Sequence, residues 1–275
     1  MPDFGLVRLL KWLLPWEPSI VVVVASCTAT GVFFLGSHKL QLATGRKILY
    51  WLGLISMYAV SQTQFDYYAE HAFFVHRIQH VVLHHFGPFL IALSQPGAAL
   101  WAGIPASWRT IFERLSTRQP IPWLVAVANN PIAAVVLFCG LILFWLLPTV
   151  HFIAMLDWRW YRVMNWSMAI NGLMFWNLVL NSYSIRPTHL TAGCRIAMML
   201  VVIPPQIAMG ALLFFSPRDL YPVYSLCGLA FPGMTPLVDQ QIGGLILWIP
   251  GSMMSVIGVL VVMRSEWMRS RRENA

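Results

Sequence analysis

The feature that most constrains this chain is a series of long apolar segments along its whole length. Candidate membrane spans lie at 19–37, 48–65, 72–95, 131–151, 163–183, 191–215 and 240–263. An α-helix needs about 20 apolar residues to cross a bilayer, and these segments approach or exceed that length. Only 10% of the residues are charged, whereas soluble globular domains average about 25%. The sequence therefore predicts an all-α, polytopic membrane protein with seven transmembrane helices.

The distribution of Lys and Arg predicts how these helices are oriented. Most cations fall in one set of alternate loops, and such loops usually face the cytoplasm. We therefore expect the N-terminus outside and the C-terminus in the cytoplasm. Residues 1–18 are predicted to form an interfacial amphipathic segment, 19–264 the membrane domain and 265–275 a basic cytoplasmic tail. The net charge of +8 is attributed to loops facing anionic lipid, so no nucleic-acid partner is predicted.

The third predicted span carries an unusual number of histidines. They are His71, His76, His80, His84 and His85. Three of them are spaced four residues apart, which places them on one face of a helix. Polar groups inside a membrane are energetically unfavourable and often functional. Imidazole binds copper, zinc, iron and nickel, so this face is a candidate metal site.

The predicted topology gathers other polar side chains near the same end of the protein. Those expected in the outer half are Asp66, Glu70, His71, His76, His80, His151 and Asp239. The carboxylates either bind a metal directly or orient a histidine that does. Asp239 has a third interpretation, as the N-cap of the seventh helix. His84 lies deeper, as a transfer station or a partner in a hydrogen bond between helices, and His85 points elsewhere.

Several segments together resemble one known family, the CtaG-type cytochrome c oxidase assembly factors. HRIQHVVLHHFGPFLIALSQP (76–96) resembles the signature HMxQH…P…LG.P of that family. DQQIGGLILWIPG (239–251) resembles its DQQ-x-(A/G)-GL-x-MW-x-PG segment. NGLMFWNLV (171–179) and WEPS (16–19) are similar to its G-L-x-FW helix and its W-x-P start. The resemblance covers nearly the whole chain in the expected order.

This resemblance implies a multi-pass protein of the bacterial inner membrane that helps deliver copper to haem–copper oxidases and is not an enzyme. Oxidase subunits, periplasmic copper chaperones and the lipid bilayer are the implied partners, and a copper ion is the implied cofactor. The candidate metal positions are His76, His80, His151, Asp66 and Asp239, with His71 and His84 as additions. Many family members carry a second histidine pair, and here Tyr161 and Asn165 occupy the corresponding positions.

Three alternatives to a copper-delivering assembly factor remain open at this point. A copper permease would use His76, His80 and His84 as the start of a path. A b-type haem protein would ligate iron with His151 and a histidine of the third span. Finally, the polar side chains could only join helices through hydrogen bonds worth roughly 0.6 kcal/mol each. That last role explains poorly why most of them gather at one end.

Overall fold

A computed structural model describes residues 16–180, 190–228 and 230–273. The described residues form helices and no strand, which confirms the all-α prediction. The first helices are α1 (Ile20–Lys39), α2 (Thr44–Gln62), α3 (Gln64–His71), α4 (Phe73–Val81), a π-helical turn (Val82–Phe86), α5 (Gly87–Leu93), α6 (Gly97–Gly103) and α7 (Ala106–Ser116). They are followed by α8 (Ile121–Asn129), α9 (Pro131–Leu146), α10 (Pro148–Leu156), α11 (Trp158–Leu180), α12 (Ala192–Val201), α13 (Ile203–Phe215), α14 (Val223–Cys227) and α15 (Pro236–Glu273). Most of the predicted interfacial segment, residues 1–15, lies outside the described residues.

The number of helices able to cross a membrane differs from the prediction of seven. In the described ranges, three stretches are long and apolar enough by themselves, namely Ile20–Lys39, Ala192–Phe215 and Pro236–Arg272. A fourth is obtained when α8 and α9, which meet at an angle of 84°, are taken as one broken span. The chain is therefore an all-helical protein with apolar helices suited to a membrane, and length and composition support three or four spans.

The remaining predicted spans exist as helices, but they are interrupted or more polar. The segment at 72–95 begins at Ala72, whose backbone is extended (φ −150°, ψ 125°), and it is interrupted at the π turn. The segment at 131–151 breaks between α9 and α10, where Pro148 begins the second helix. Helices α2 and α11 are continuous but contain several Ser, Gln and Asn side chains. These breaks and polar positions explain why fewer helices than the predicted seven are long and apolar enough to cross a membrane.

The segment that carries the histidines lies at the centre of the helix packing. Helix α4 packs along α15, the π turn contacts α11, and α5 packs against α2 and α11. A core of buried aromatic and apolar side chains surrounds the start of α4, including Phe73, Trp145, Met164, Leu213 and Tyr221. The histidines therefore lie inside the protein.

Gly172 brings α11 into direct contact with the π turn. A Cβ atom at residue 172 would lie 2.4 Å from the carbonyl oxygen of His84 and 2.8 Å from its Cα. Because both neighbours are backbone atoms, Gly172→Ala should push α11 away and lower the free energy of unfolding by about 1–3 kcal/mol. Thermal unfolding in detergent would measure this. The matched control is Gly140→Ala on α9, where nothing lies within 4 Å, so that no loss is expected.

Candidate functional site

Three histidine rings from two helical segments meet in the core near the start of α4. The ring centroids of His76 and His80 are 4.3 Å apart, and those of His76 and His151 are 5.1 Å apart. His76 and His151 are fully buried, and His80 is only 5% exposed. Helical spacing brings His76 and His80 together, whereas α10 brings His151 from a distant part of the sequence. The structure thus assembles three of the predicted positions.

His76 and His80 form a pair, which we call the outer pair, that has unused coordinating capacity. Neither ring nitrogen of His76 has a hydrogen-bond partner. His80 donates its Nε2–H to the side-chain oxygen of Asn165 at 3.2 Å, which leaves Nδ1 as the lone-pair nitrogen without a partner. Metal-binding histidines commonly donate their second ring N–H to an oxygen in this way. A neutral imidazole has one lone-pair nitrogen, so each ring of the outer pair offers one such nitrogen that has no partner within the described chain.

His151 is held differently, because both of its ring nitrogens are engaged. Its Nδ1–H donates to the carbonyl oxygen of Trp145 at 3.0 Å, so Nε2 is the acceptor. The hydroxyl of Tyr224 donates to that Nε2 at 2.9 Å. A metal could bind to His151 only by displacing Tyr224. The geometry makes His151 a neighbour of the outer pair whose ring is fixed in place.

Asp66 lies in a hydrogen-bonded group beside the outer pair. One of its oxygens accepts from Gln79 at 2.6 Å and from the Tyr161 hydroxyl at 2.8 Å. The ring of Tyr161 lies tilted beside that of His76, with ring centroids 5.9 Å apart. Asp66 and Glu70 lie on α3, in the connection between the second and third predicted spans. Burial of their carboxyl groups raises the pKa of Asp66 to about 6 and that of Glu70 to about 7. Asp66 thus orients Tyr161 and Gln79.

Asp239 supports the start of α4. Its Oδ2 accepts from the backbone N–H of Phe73 at 2.8 Å, and its Oδ1 accepts from the N–H of Phe74 at 2.7 Å. The first N–H groups of a helix have no partner within the helix, and Ala72 offers no side-chain cap. A carboxylate from α15 therefore caps the helix that carries the outer pair, instead of capping the helix to which it belongs.

The two additional predicted positions lie on either side of the outer pair. His71 ends α3, where its Nδ1–H donates to the carbonyl of Tyr67 at 2.8 Å and its ring packs on Tyr67 with centroids 4.2 Å apart. His84 lies one turn beyond His80, with its Nε2 donating to the side-chain oxygen of Asn171 at 2.9 Å. His71 therefore has a local structural role, whereas His84 belongs to a deeper part of the core.

Some residues around this site were not identified from the sequence. Gln79 lies inside the HRIQH segment and joins Asp66 to Tyr161. Arg77 is 2% exposed and packs over the ring of Phe73 at 4.9 Å, while its Nε and Nη2 have no partners. The only sequence signal for these residues was polarity within an apolar segment. Tyr161 and Asn165, four residues apart on α11, face the outer pair as their spacing allows.

The arrangement offers two neutral imidazoles to a ligand. In the parts of the chain that are described, no group of three or more His, Cys, Asp or Glu side chains is placed to hold a metal ion. The outer pair alone would give a site of low coordination number, with Asp66 and His151 engaged elsewhere. Chemically, such a pair suits an ion that is held briefly and passed on, because a closed set of four ligands retains its metal.

Comparison with known proteins bears on the same segments. No curated protein and no solved structure matches the chain. A protein-family model does match, over residues 29–270, and it describes the cytochrome c oxidase caa3 assembly factor, Caa3_CtaG. This match includes the outer pair, α11 and α15, and it covers nearly the whole sequence. The chain therefore belongs to the cytochrome c oxidase caa3 assembly factor family.

Proposed function

We propose that this protein carries copper during the assembly of a cytochrome c oxidase, and that it holds one Cu(I) ion at the outer pair. The observation that carries the proposal is the pair of buried rings 4.3 Å apart, each with one lone-pair nitrogen that has no partner among the described residues. Imidazole is a suitable copper ligand. In this proposal copper arrives from a periplasmic chaperone and leaves to an oxidase subunit, so the protein is a carrier rather than an enzyme.

The charge around the outer pair favours Cu(I) over Cu(II). Both imidazoles are neutral donors, and the carboxylate of Asp66 is engaged with Gln79 and Tyr161. The free energy needed to bury an ion in a medium of low dielectric constant rises with the square of its charge. A monovalent ion is therefore better tolerated here than a divalent one.

The proposal includes a location and an orientation. We place the protein in the bacterial inner membrane as a bundle of seven transmembrane helices. In this bundle the broken helices and the more polar helices also cross the membrane, because neighbouring helices shield their polar groups from lipid. Buried backbone and polar groups at a break are tolerated in a membrane when protein surrounds them. The excess of Lys and Arg then puts the α3 end of the bundle outside, where periplasmic copper would reach the outer pair.

Loading the purified protein with copper tests the proposal most directly. Anaerobic titration with Cu(I) in nanodiscs, followed by absorption spectroscopy at the copper edge, should give copper bound by imidazole nitrogen. An anomalous-scattering map should place an ion between His76 and His80. If loaded protein holds no copper, or holds it only away from these rings, the proposal is wrong. A Soret band in the purified protein would instead favour haem.

Arg77 gives a further prediction about copper affinity. Its buried charge acts electrostatically on His76, His80 and His151 and opposes a cation among them. Two unit charges about 10 Å apart interact by roughly 1.7 kcal/mol at an effective dielectric constant of about 20. Arg77→Met, which keeps the length of the side chain without its charge, should therefore tighten Cu(I) binding about tenfold.

Competition with a chromophoric Cu(I) chelator would measure this change. The control is Arg162→Met on α11, where the partly exposed guanidinium lies 4.0 Å from Glu17 and little effect on copper is expected. Unchanged or weaker binding by Arg77→Met would show that its charge does not set the affinity.

A further inference from the structure

A second group of polar side chains without partners lies deeper in the bundle, between the π turn, α13 and α15. We call it the inner cluster, and its members are His84, His85, Gln206 and Ser255. All four are buried, with at most 2% of any of them exposed. The unpartnered atoms are Nδ1 of each histidine, both amide atoms of Gln206 and the Ser255 hydroxyl oxygen. Buried polar atoms without partners are rare in folded proteins and call for a specific explanation.

Two proximities connect the histidines and Gln206: His84 lies beside His85, and His85 and Gln206 both lie next to Gly251. The rings of His84 and His85 are adjacent in sequence and both buried, with centroids 5.0 Å apart. Gly251 on α15 leaves space beside them. A Cβ atom there would lie 2.7 Å from Oε1 of Gln206 and 3.9 Å from Nε2 of His85. Ser255 follows Gly251 by about one turn on the same helix face, so it extends the polar lining toward the other end of the bundle.

The backbone at this position is also unusual. His84 and His85 lie in the five-residue π turn, Val82–Phe86, and π turns within α-helices occur frequently at functional sites. The tautomer of His84 is fixed, because its Nε2–H donates to Asn171. Its lone pair therefore lies on Nδ1, which has no partner. This is the same arrangement that Asn165 imposes on His80.

We propose that the inner cluster is a second Cu(I) site, to which copper passes from the outer pair. The two imidazoles are the donors suited to copper, and the amide oxygen of Gln206 lies beside His85; all three groups are neutral, which again favours a monovalent ion. His80 and His84 are one helical turn apart on one face, so an ion can exchange one imidazole for the next without leaving the protein. No electron is transferred. The identity of the ion rests on the proposed function, whereas the existence of the inner site does not.

The inner site changes what the protein does with copper. A single outer pair could only exchange metal with partners at the membrane surface. Two binding sites used one after the other bring the ion into the apolar interior of the bundle, where a subunit that lies within the membrane can receive it. Gln206 and Ser255 supply the polar groups that the histidine-bearing segment itself lacks beyond Phe86.

Copper stoichiometry tests this proposal with the full chain in nanodiscs, loaded anaerobically with Cu(I) alone. Wild-type protein should bind two ions. His85→Phe and Gln206→Leu, each of which replaces a polar side chain by an apolar one without a copper-binding atom, should bind one. His76→Ala/His80→Ala should also retain one, at the inner site. His38→Phe on α1 is the control and should bind two, while circular dichroism verifies that each variant keeps its helices.

The outcomes separate the two sites. If both inner variants bind as many ions as wild type, the inner site does not exist and the cluster holds water only. If the inner variants each lose one ion while the outer double variant keeps two, the inner site stands and the outer pair is wrong. Loss of all copper in the outer double variant, with no loss in the inner variants, would overturn the inner site alone.

Discussion

Replacing His76 and His80 together by alanine should reduce Cu(I) binding at the outer pair by more than a hundredfold. Loss of a side chain that only orients a metal ligand already weakens metal binding about 10–100-fold, and this variant removes both ligands. Neither Asp66 nor His151 can substitute readily, because Asp66 accepts two hydrogen bonds and both nitrogens of His151 are engaged. Cells that carry only this variant should assemble an oxidase deficient in copper.

A chelator competition on purified protein, together with the copper content of the oxidase from the same cells, would measure both effects. The matched control is His71→Ala, because that histidine bonds to Tyr67 within its own helix. Its removal should leave both quantities unchanged. Since two alanines also leave a cavity in the core, a second double variant, His76→Phe/His80→Gln, removes the same imidazoles but keeps side chains of similar volume. Normal copper binding by both double variants would rule out the outer pair.

The sequence predicted the helical segments. It also predicted that His76, His80 and His151 lie near the same end of the helices. Periodicity placed His76 and His80 on one face, because the four-residue spacing is local and needs no knowledge of the tertiary structure. Tyr161 and Asn165 were likewise located by their correspondence with a segment of the family. The structure places both beside the outer pair, where Asn165 bonds to His80.

Contacts between distant parts of the chain could not be predicted in the same way. Whether the nitrogens of His151 are available depends on Trp145 and Tyr224, and the second lies 73 residues away. Two neighbouring histidines would point apart in a regular α-helix, and the π turn buries both His84 and His85. Such features depend on which helices pack together.

Asp239→Ala should produce the largest loss of stability among the single substitutions considered. Its carboxylate, 1% exposed, accepts one hydrogen bond from Phe73 and one from Phe74. Hydrogen bonds to charged groups contribute about 1.5–3 kcal/mol each, and the negative charge also stabilises a helix N-terminus. We therefore expect the free energy of unfolding to fall by about 3–5 kcal/mol. Asp239→Asn keeps one acceptor oxygen and should lose about half as much.

Unfolding in detergent, followed by circular dichroism, would measure these changes, with Asp157→Ala as the control. Asp157 accepts from the backbone N–H of Arg159 at an exposed helix start, where loss of a local cap lowers stability by only about 1 kcal/mol. Equal losses in the two alanine variants would show that Asp239 is an ordinary cap.

The same variants separate support of the helix from binding of the metal. If Asp239 were a copper ligand, Asp239→Asn would weaken Cu(I) binding at nearly unchanged stability. If it holds the start of α4 in place, copper affinity should fall only in proportion to the loss of stability, because His76 lies less than one turn beyond Phe74. A second substitution outside α4 can then restore the stability of Asp239→Asn. If the carboxylate contacts the metal, the copper affinity of this double variant should stay low. If Asp239 only supports the helix, the copper affinity should return.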